Sequence, residues 1–149
     1  MAMELIPGPN PVFGTLTANT LTANTVNGAT IDNLPWTTWT PVVTASVGTF
    51  TATSAVGRYK QIGKTISFGV AVRCITVGSA SVAVVFTLPV SANTSVISIA
   101  SGGREALING SALNCQINGS TTAFIQYYNT TFPGADGSLL NVSGTYEAL

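Results

Sequence analysis

The sequence contains no histidine and very little charge: five Lys/Arg and five Asp/Glu make up 7% of its 149 residues, where an average domain has about a quarter. Each shortage excludes a class of chemistry. Without histidine, the commonest proton-transfer group at neutral pH is missing and a Ser-His-Asp triad cannot be built. The carboxylates Glu4, Asp32, Glu105, Asp136 and Glu147 are scattered along the chain, so the close pair that a glycosidase uses has no evident source. Two cysteines without histidine cannot close a tetrahedral zinc site, and a calcium site needs more clustered carboxylates. No catalytic residue, metal or cofactor is expected, and the chain does not read as an enzyme.

The charges also balance, which leaves no net field for phosphate backbones or anionic lipid and sets nucleic acid and membranes aside. No window approaches the ~20 apolar residues of a membrane span. Pro7, Pro9 and Pro11 fall where a secretory leader needs an apolar run. Cys74 and Cys115 stand among alternating apolar neighbours and are expected as buried, reduced thiols.

In place of charge the chain carries Thr, Ser and Asn, which compete with the backbone inside helices and suit strands and turns. Thr65 to Val77 alternates Ile66, Phe68, Val70, Val72 and Cys74 against small or polar residues, the period-2 pattern of a half-buried strand. Ser81 to Leu88 alternates too, with Val82, Val84, Phe86 and Leu88 on one face. Further strands are expected near Val96–Ala100, Ala106–Ile108, Leu113–Ile117, Ala123–Tyr128 and Leu140–Tyr146. Asn109-Gly110, Asn118-Gly119 and Asp136-Gly137 suit hairpins with type I′ turns. Gly57 to Lys64 resembles a phosphate loop but has five residues between its glycines, one too many, and leads into a strand. A hairpin with Gly63 at the turn is expected there instead. Seven to nine short strands at this spacing imply an all-β, antiparallel β-sandwich, jelly-roll-like, over residues 36–149.

Ahead of this head the pattern changes. Residues 1–14 hold three prolines and read as an extended tail. Residues 15–35 repeat Leu-Thr-Ala-Asn-Thr and its variants, returning an apolar residue at Leu16, Leu21, Val26 and Ile31. A period of five fits neither helix nor flat strand, so each unit turns the chain. Four such units are too few to bury a core alone, whereas three chains winding together would share one. The expectation is a short intertwined trimeric β-stem, in a homotrimer whose charge-poor surface is partly covered by assembly.

Trp39-Thr40-Pro41, the Gly57–Lys64 segment before an alternating strand, Leu88-Pro89 and Ser143-Gly-Thr-Tyr146, following the Leu-Thr-Ala-Asn-Thr repeat, resemble the C-terminal domains of bacteriophage tail fibres and tailspikes. The resemblance implies a receptor-binding homotrimer in the virion tail, assembled in the host cytoplasm. Its heads would contact host cell-surface glycans or proteins, and its N-terminal tail other virion tail proteins. It also leaves open a trimerisation or baseplate domain without receptor affinity; a small carbohydrate-active module is the third class. With so few charges, recognition is expected to rest on aromatic faces, hydroxyls and amides, a chemistry that suits neutral sugars. The expected contact residues are Arg104, Glu105, Tyr127 and Phe132, because Gly-rich segments and loop tips carry or flank them.

Light scattering of the full chain should report a trimer; a monomer at micromolar concentration would contradict the stem. Replacing Leu16, Leu21 and Val26 with Asn should lower the melting temperature of the assembly, since each buried apolar side chain contributes about 1.5–3 kcal/mol and is lost three times. Unchanged melting would mark residues 15–35 as a linker.

Overall fold

A computed structural model of the protein describes residues 35–95 and 102–149. The tail, the stem with Leu16, Leu21, Val26 and Ile31, and the strand expected at 96–100 lie outside the described residues. The described part contains nine strands and no helix: β1 (Thr37–Trp39), β2 (Val43–Val47), β3 (Ala52–Ile62), β4 (Thr65–Thr76), β5 (Ser81–Thr87), β6 (Gly102–Glu105), β7 (Ala112–Ile117), β8 (Thr122–Tyr127) and β9 (Leu139–Glu147). All pairings are antiparallel. The all-β, antiparallel expectation is thus met, and the strands join in a single sheet of order β1-β3-β4-β9-β6-β7-β8-β5-β2.

That sheet is curled. β4 and β5 stand five places apart in it, which would separate them by about 24 Å if it were flat. Yet the Phe68 and Phe86 rings, one from each strand, lie 6.1 Å apart. The chain demands this closeness, because β1 and β2 sit at opposite edges of the sheet and are joined only by Thr40, Pro41 and Val42. Such a connection spans at most about 14 Å. Trp39 fastens the approach: its indole N–H donates to the Thr87 carbonyl at 3.2 Å, and Thr87 and Val42 exchange two further bonds of 2.9 and 3.1 Å. The ring also requires Gly57 beneath it, since a Cβ there would stand 2.3 Å from the indole.

The concave side holds the core. The alternating residues of β4, from Ile66 to Cys74, are at most 4% exposed and meet Val84, Phe86, Leu113, Cys115, Ile125, Leu140, Val142 and Tyr146. Burial of such side chains, about 1.5–3 kcal/mol for each large one, is what the period-2 pattern encodes.

Four details depart from the sequence pattern. Val82 does not share the core face of β5; it is 50% exposed with φ of 74°, beside an interruption of the β2–β5 register between Ala45 and Val47. A bulge of this kind shifts the alternation by a residue, and Ala83 is buried in its stead. Second, the three Asx-Gly turns place only their glycines at positive φ, at 69°, 78° and 83°, so none is the type I′ turn, which needs two such residues. Third, Asp136-Gly137 does not close a hairpin; Asp136 instead accepts the Val77 N–H at 2.7 Å, tying the start of β9 to the end of β4. Fourth, Ala106–Ile108 is a loop after β6. Gly63, by contrast, takes φ of 58° in the β3–β4 hairpin as expected.

Cys74 and Cys115 are both wholly buried and unpaired. Burial pushes the Cys115 thiol up to about 12 and raises that of Cys74. Neither should react with a thiol reagent in the native protein on the timescale of seconds, and both should react on unfolding. Fast native labelling, or a mass two hydrogen atoms short, would contradict this packing.

Candidate functional site

The side chain that organises the loop between β6 and β7 is Glu105, the last residue of β6. β6 lies between β9 and β7, and alternation turns Arg104 to the outside and Glu105 inward, where it is 0% exposed. A bare carboxylate there would be prohibitive, so it must be fully hydrogen-bonded. Its Oε1 accepts the backbone N–H of Leu107 at 2.9 Å and of Leu139 at 3.2 Å. Its Oε2 accepts those of Ile108, Asn109 and Gly110 at 2.8, 2.7 and 3.3 Å. Burial raises the carboxyl, but the N–H groups of Asn109, Leu107, Ile108 and Leu139 outweigh it and hold the group down to about 2. These bonds explain why the strand does not continue past Ala106, whose N–H still donates to the Leu139 carbonyl at 2.8 Å: Glu105 has taken the Leu107 and Ile108 donors that a ladder would use.

The loop so fixed delivers Asn109. Its Oδ1 accepts the Ser111 N–H at 2.9 Å, and its Nδ2 donates to the Tyr127 hydroxyl at 2.6 Å. The facing wall is the turn after β8. There Tyr127 N–H donates to the Thr131 carbonyl at 2.9 Å, and Asn129 Oδ1 accepts both the N–H and the hydroxyl of Thr131, at 3.3 and 2.7 Å. Thr130 sits at φ of 67°. Gln126 ties this strained turn to the bulge of β5, its Nε2 donating to Val82 O at 3.0 Å and Thr130 O at 3.2 Å. The two non-glycine residues at positive φ among the described residues are therefore held by one amide. Each such conformation costs on the order of 1–3 kcal/mol and persists only where its surroundings enforce it.

Between these walls is an open cleft of about 410 Å³ lined by Ser111, Ala112, Tyr127, Tyr128, Asn129 and Thr131. The volume falls in the range of small-ligand sites, about 300–1,000 Å³. Tyr128 is 78% exposed, an aromatic surface with nothing over it. The lining offers two phenol rings, amides and hydroxyls, but no carboxylate or ammonium. It can stack on and hydrogen-bond to a neutral polyol and holds no acid–base pair for catalysis.

The four residues expected as contacts fare differently. Tyr127 lines the cleft. Arg104 is exposed beside it, its guanidinium lying against Gly110, where a Cβ would stand 2.8 Å from Nη2. Glu105 is not available to a ligand, because it is buried with both oxygens occupied; Arg104 and Glu105 lie in an interior strand, not at a solvated tip. Phe132 is half-buried, packed on Phe50 at 6.3 Å and over Gly134, which makes it a packing residue. Tyr128, Asn129, Ser111, Ala112 and Thr131 complete the lining, and Asn109 adjoins it through the Tyr127 hydroxyl. Their signal in the sequence was the run Tyr127-Tyr128-Asn129 at a strand end, opposite the Asn109-Gly110 turn.

No protein-family model, curated protein or solved structure matches the chain.

Replacing Glu105 with Gln sets an amide NH₂ against backbone donors and should cost on the order of 3 kcal/mol. The carboxyl titrates near 2 in the folded chain against an ordinary 4.5. Its stabilisation is therefore complete above the ordinary value and is lost as pH falls from there toward 2. Urea midpoints of wild type and Glu105→Gln should differ widely at pH 7 and converge near pH 2; a constant gap would refute the assignment.

Proposed function

We propose that the chain is the receptor-binding part of a bacteriophage tail fibre or tailspike, a homotrimer in the virion tail that attaches to host cell-surface glycans. The observation that carries this reading is the cleft beside Tyr128, in which exposed aromatic surface, amides and hydroxyls converge on rigid walls without a charged group. Neutral sugars present the matching chemistry: apolar C–H faces for the rings and hydroxyls for Asn109, Ser111, Asn129 and Thr131. The order of tail, repeat and β-head, read from the sequence, supports the assignment to a tail. Binding, not catalysis, is the use to which such a site is suited.

One open cleft of this size gives a weak contact, and three around one axis would raise it through effective concentration, by a factor of about 10²–10⁴. Attachment of fluorescently labelled trimer to intact cells of a susceptible bacterium tests the reading. Tyr128→Ala should reduce attachment at least tenfold with an unchanged melting temperature, and Asn109→Ala should reduce it less. Normal attachment by Tyr128→Ala would remove the cleft from recognition, and a folded trimer that attaches to no susceptible cell would favour a purely structural head.

A further inference from the structure

The neutral whole-chain charge conceals an asymmetry. All five cationic residues, Arg58, Lys60, Lys64, Arg73 and Arg104, lie in the Leu34–Leu149 unit, with only three of the five acids. Of those acids, Glu105 is buried, Asp136 accepts the Val77 N–H, and Glu147 accepts the Asn93 side-chain amide at 3.3 Å at the far end of β9. The convex face of β3, β4, β9 and β6 is consequently cationic. Registers place Val56, Ala71, Asn141 and Arg104 in one cross-strand row, with Arg58, Gly69 and Ser143 in the row beside it. Arg73 is two residues along β4 from Ala71. All three arginines are exposed. Arg58 stacks on Trp36 at 5.2 Å; among the described residues Arg73 and Arg104 have no ion pair or side-chain hydrogen bond.

Between them is an open hollow of about 370 Å³, lined by Thr38, Val56, Arg58, Gly69, Ala71 and Asn141 among others. Gly69 is the unexplained part of it. A glycine within a strand weakens it and marks a bulge, a bend or a place where a ligand or another backbone comes close. Here the register runs unbroken on both sides, Gly69 facing Arg58 and Ser143, and φ is not positive. No atom lies within 4 Å of where its Cβ would be, so no neighbour in the described head requires the glycine. What remains is close approach from outside.

We propose that this convex face is a second binding site, for an acidic polysaccharide, with Arg58, Arg73 and Arg104 contacting its carboxylates or sulfates and Gly69 opening the hollow that admits it. Sheet spacings put the three Cα atoms roughly 12–16 Å apart, too far for one small anion to engage all three and suited to a polymer with charges on successive repeat units. Arginine's planar fork matches carboxylate and sulfate oxygens. A second copy of the chain is disfavoured as occupant, because it would bring like charges together. The proposal deepens the glycan reading but uses the β3, β4, β9 and β6 part of the convex surface and not the Tyr128 cleft at its β8 end, so each can fail alone.

The test is binding of the full chain to immobilised polygalacturonate and dextran sulfate, with methyl-esterified polygalacturonate and dextran as uncharged counterparts. Wild type should bind at least one anionic polymer at least tenfold more tightly than its counterpart, and lose at least tenfold between 50 and 200 mM salt. The combined Arg58→Gln, Arg73→Gln and Arg104→Gln variant should lose that binding, while Tyr128→Ala keeps it. Gly69→Leu should also lose it at an undiminished melting temperature, since the new side chain fills open space. Equal binding to charged and uncharged polymers, wild-type binding by the arginine variant or by Gly69→Leu, or tighter binding to single-stranded DNA would each overturn the proposal.

Discussion

A single buried carboxylate sets the form of the polar end of this head. Glu105 gathers five backbone N–H groups, four from the loop that follows it and one from the first residue of β9. An anion satisfied in this way is worth far more to the fold than a surface ion pair, and removing it leaves several buried donors without partners. The same bonds stop β6, turn the chain toward β7 and aim Asn109 at the Tyr127 hydroxyl. A residue that titrates far below its ordinary range is often taken as a sign of chemistry; here the depression reflects a structural role, and the cleft beside it, which we propose as the recognition surface, is lined by no charged group.

The rest of the fold supplies rigidity around that cleft. Because β1 and β2 are adjacent in sequence yet at opposite sheet edges, the sheet has to curl, and the Trp39–Thr87 contact fixes how far. Curling sorts the side chains into a concave core and a convex surface, and the two surfaces carry different chemistry. The core holds the aliphatic residues, both thiols and Phe68 packed against Phe86 and Tyr146. The convex side holds the arginines, the open glycine of β4 and, at the β8 end, Tyr128. Gln126 links the two strained backbone positions, Val82 and Thr130, so the turn that carries Asn129 and Thr131 is braced from β5 as well as from its own bonds.

Much of the fold could be read from side-chain alternation, since burial on one face of a sheet writes a period of two into β4, β7, β8 and β9. β2 had no counterpart among the expected strands, because Val-Thr-Ala-Ser-Val at a sheet edge has little to alternate. Ala106–Ile108 misled because its apolar residues resemble a strand while Glu105, just before them, removes the backbone donors of Leu107 and Ile108; sequence spacing does not show where a carboxylate will point. Val82 misled because a bulge is a property of the register with β2, not of β5 alone. In the site, Tyr127 was legible from the hairpin signals, and Phe132 and Glu105 were not, since loop position says nothing about which side chains fold inward. The basic face could have been found by counting charges by segment instead of over the whole chain.

The central claim is that the cleft framed by the Glu105-ordered loop and the turn after β8 receives a sugar. A titration of isotopically labelled protein with soluble surface polysaccharide fragments from a susceptible bacterium, followed by amide resonances, tests it most directly. The account predicts that the side-chain amides of Asn109 and Asn129 and the backbone amides of Ser111, Tyr128 and Thr131 shift together and saturate with one affinity. The amides of Leu107, Ile108 and Leu139, locked on Glu105, should stay in place. Saturable shifts confined to other parts of the head, with these cleft resonances unmoved, would contradict it.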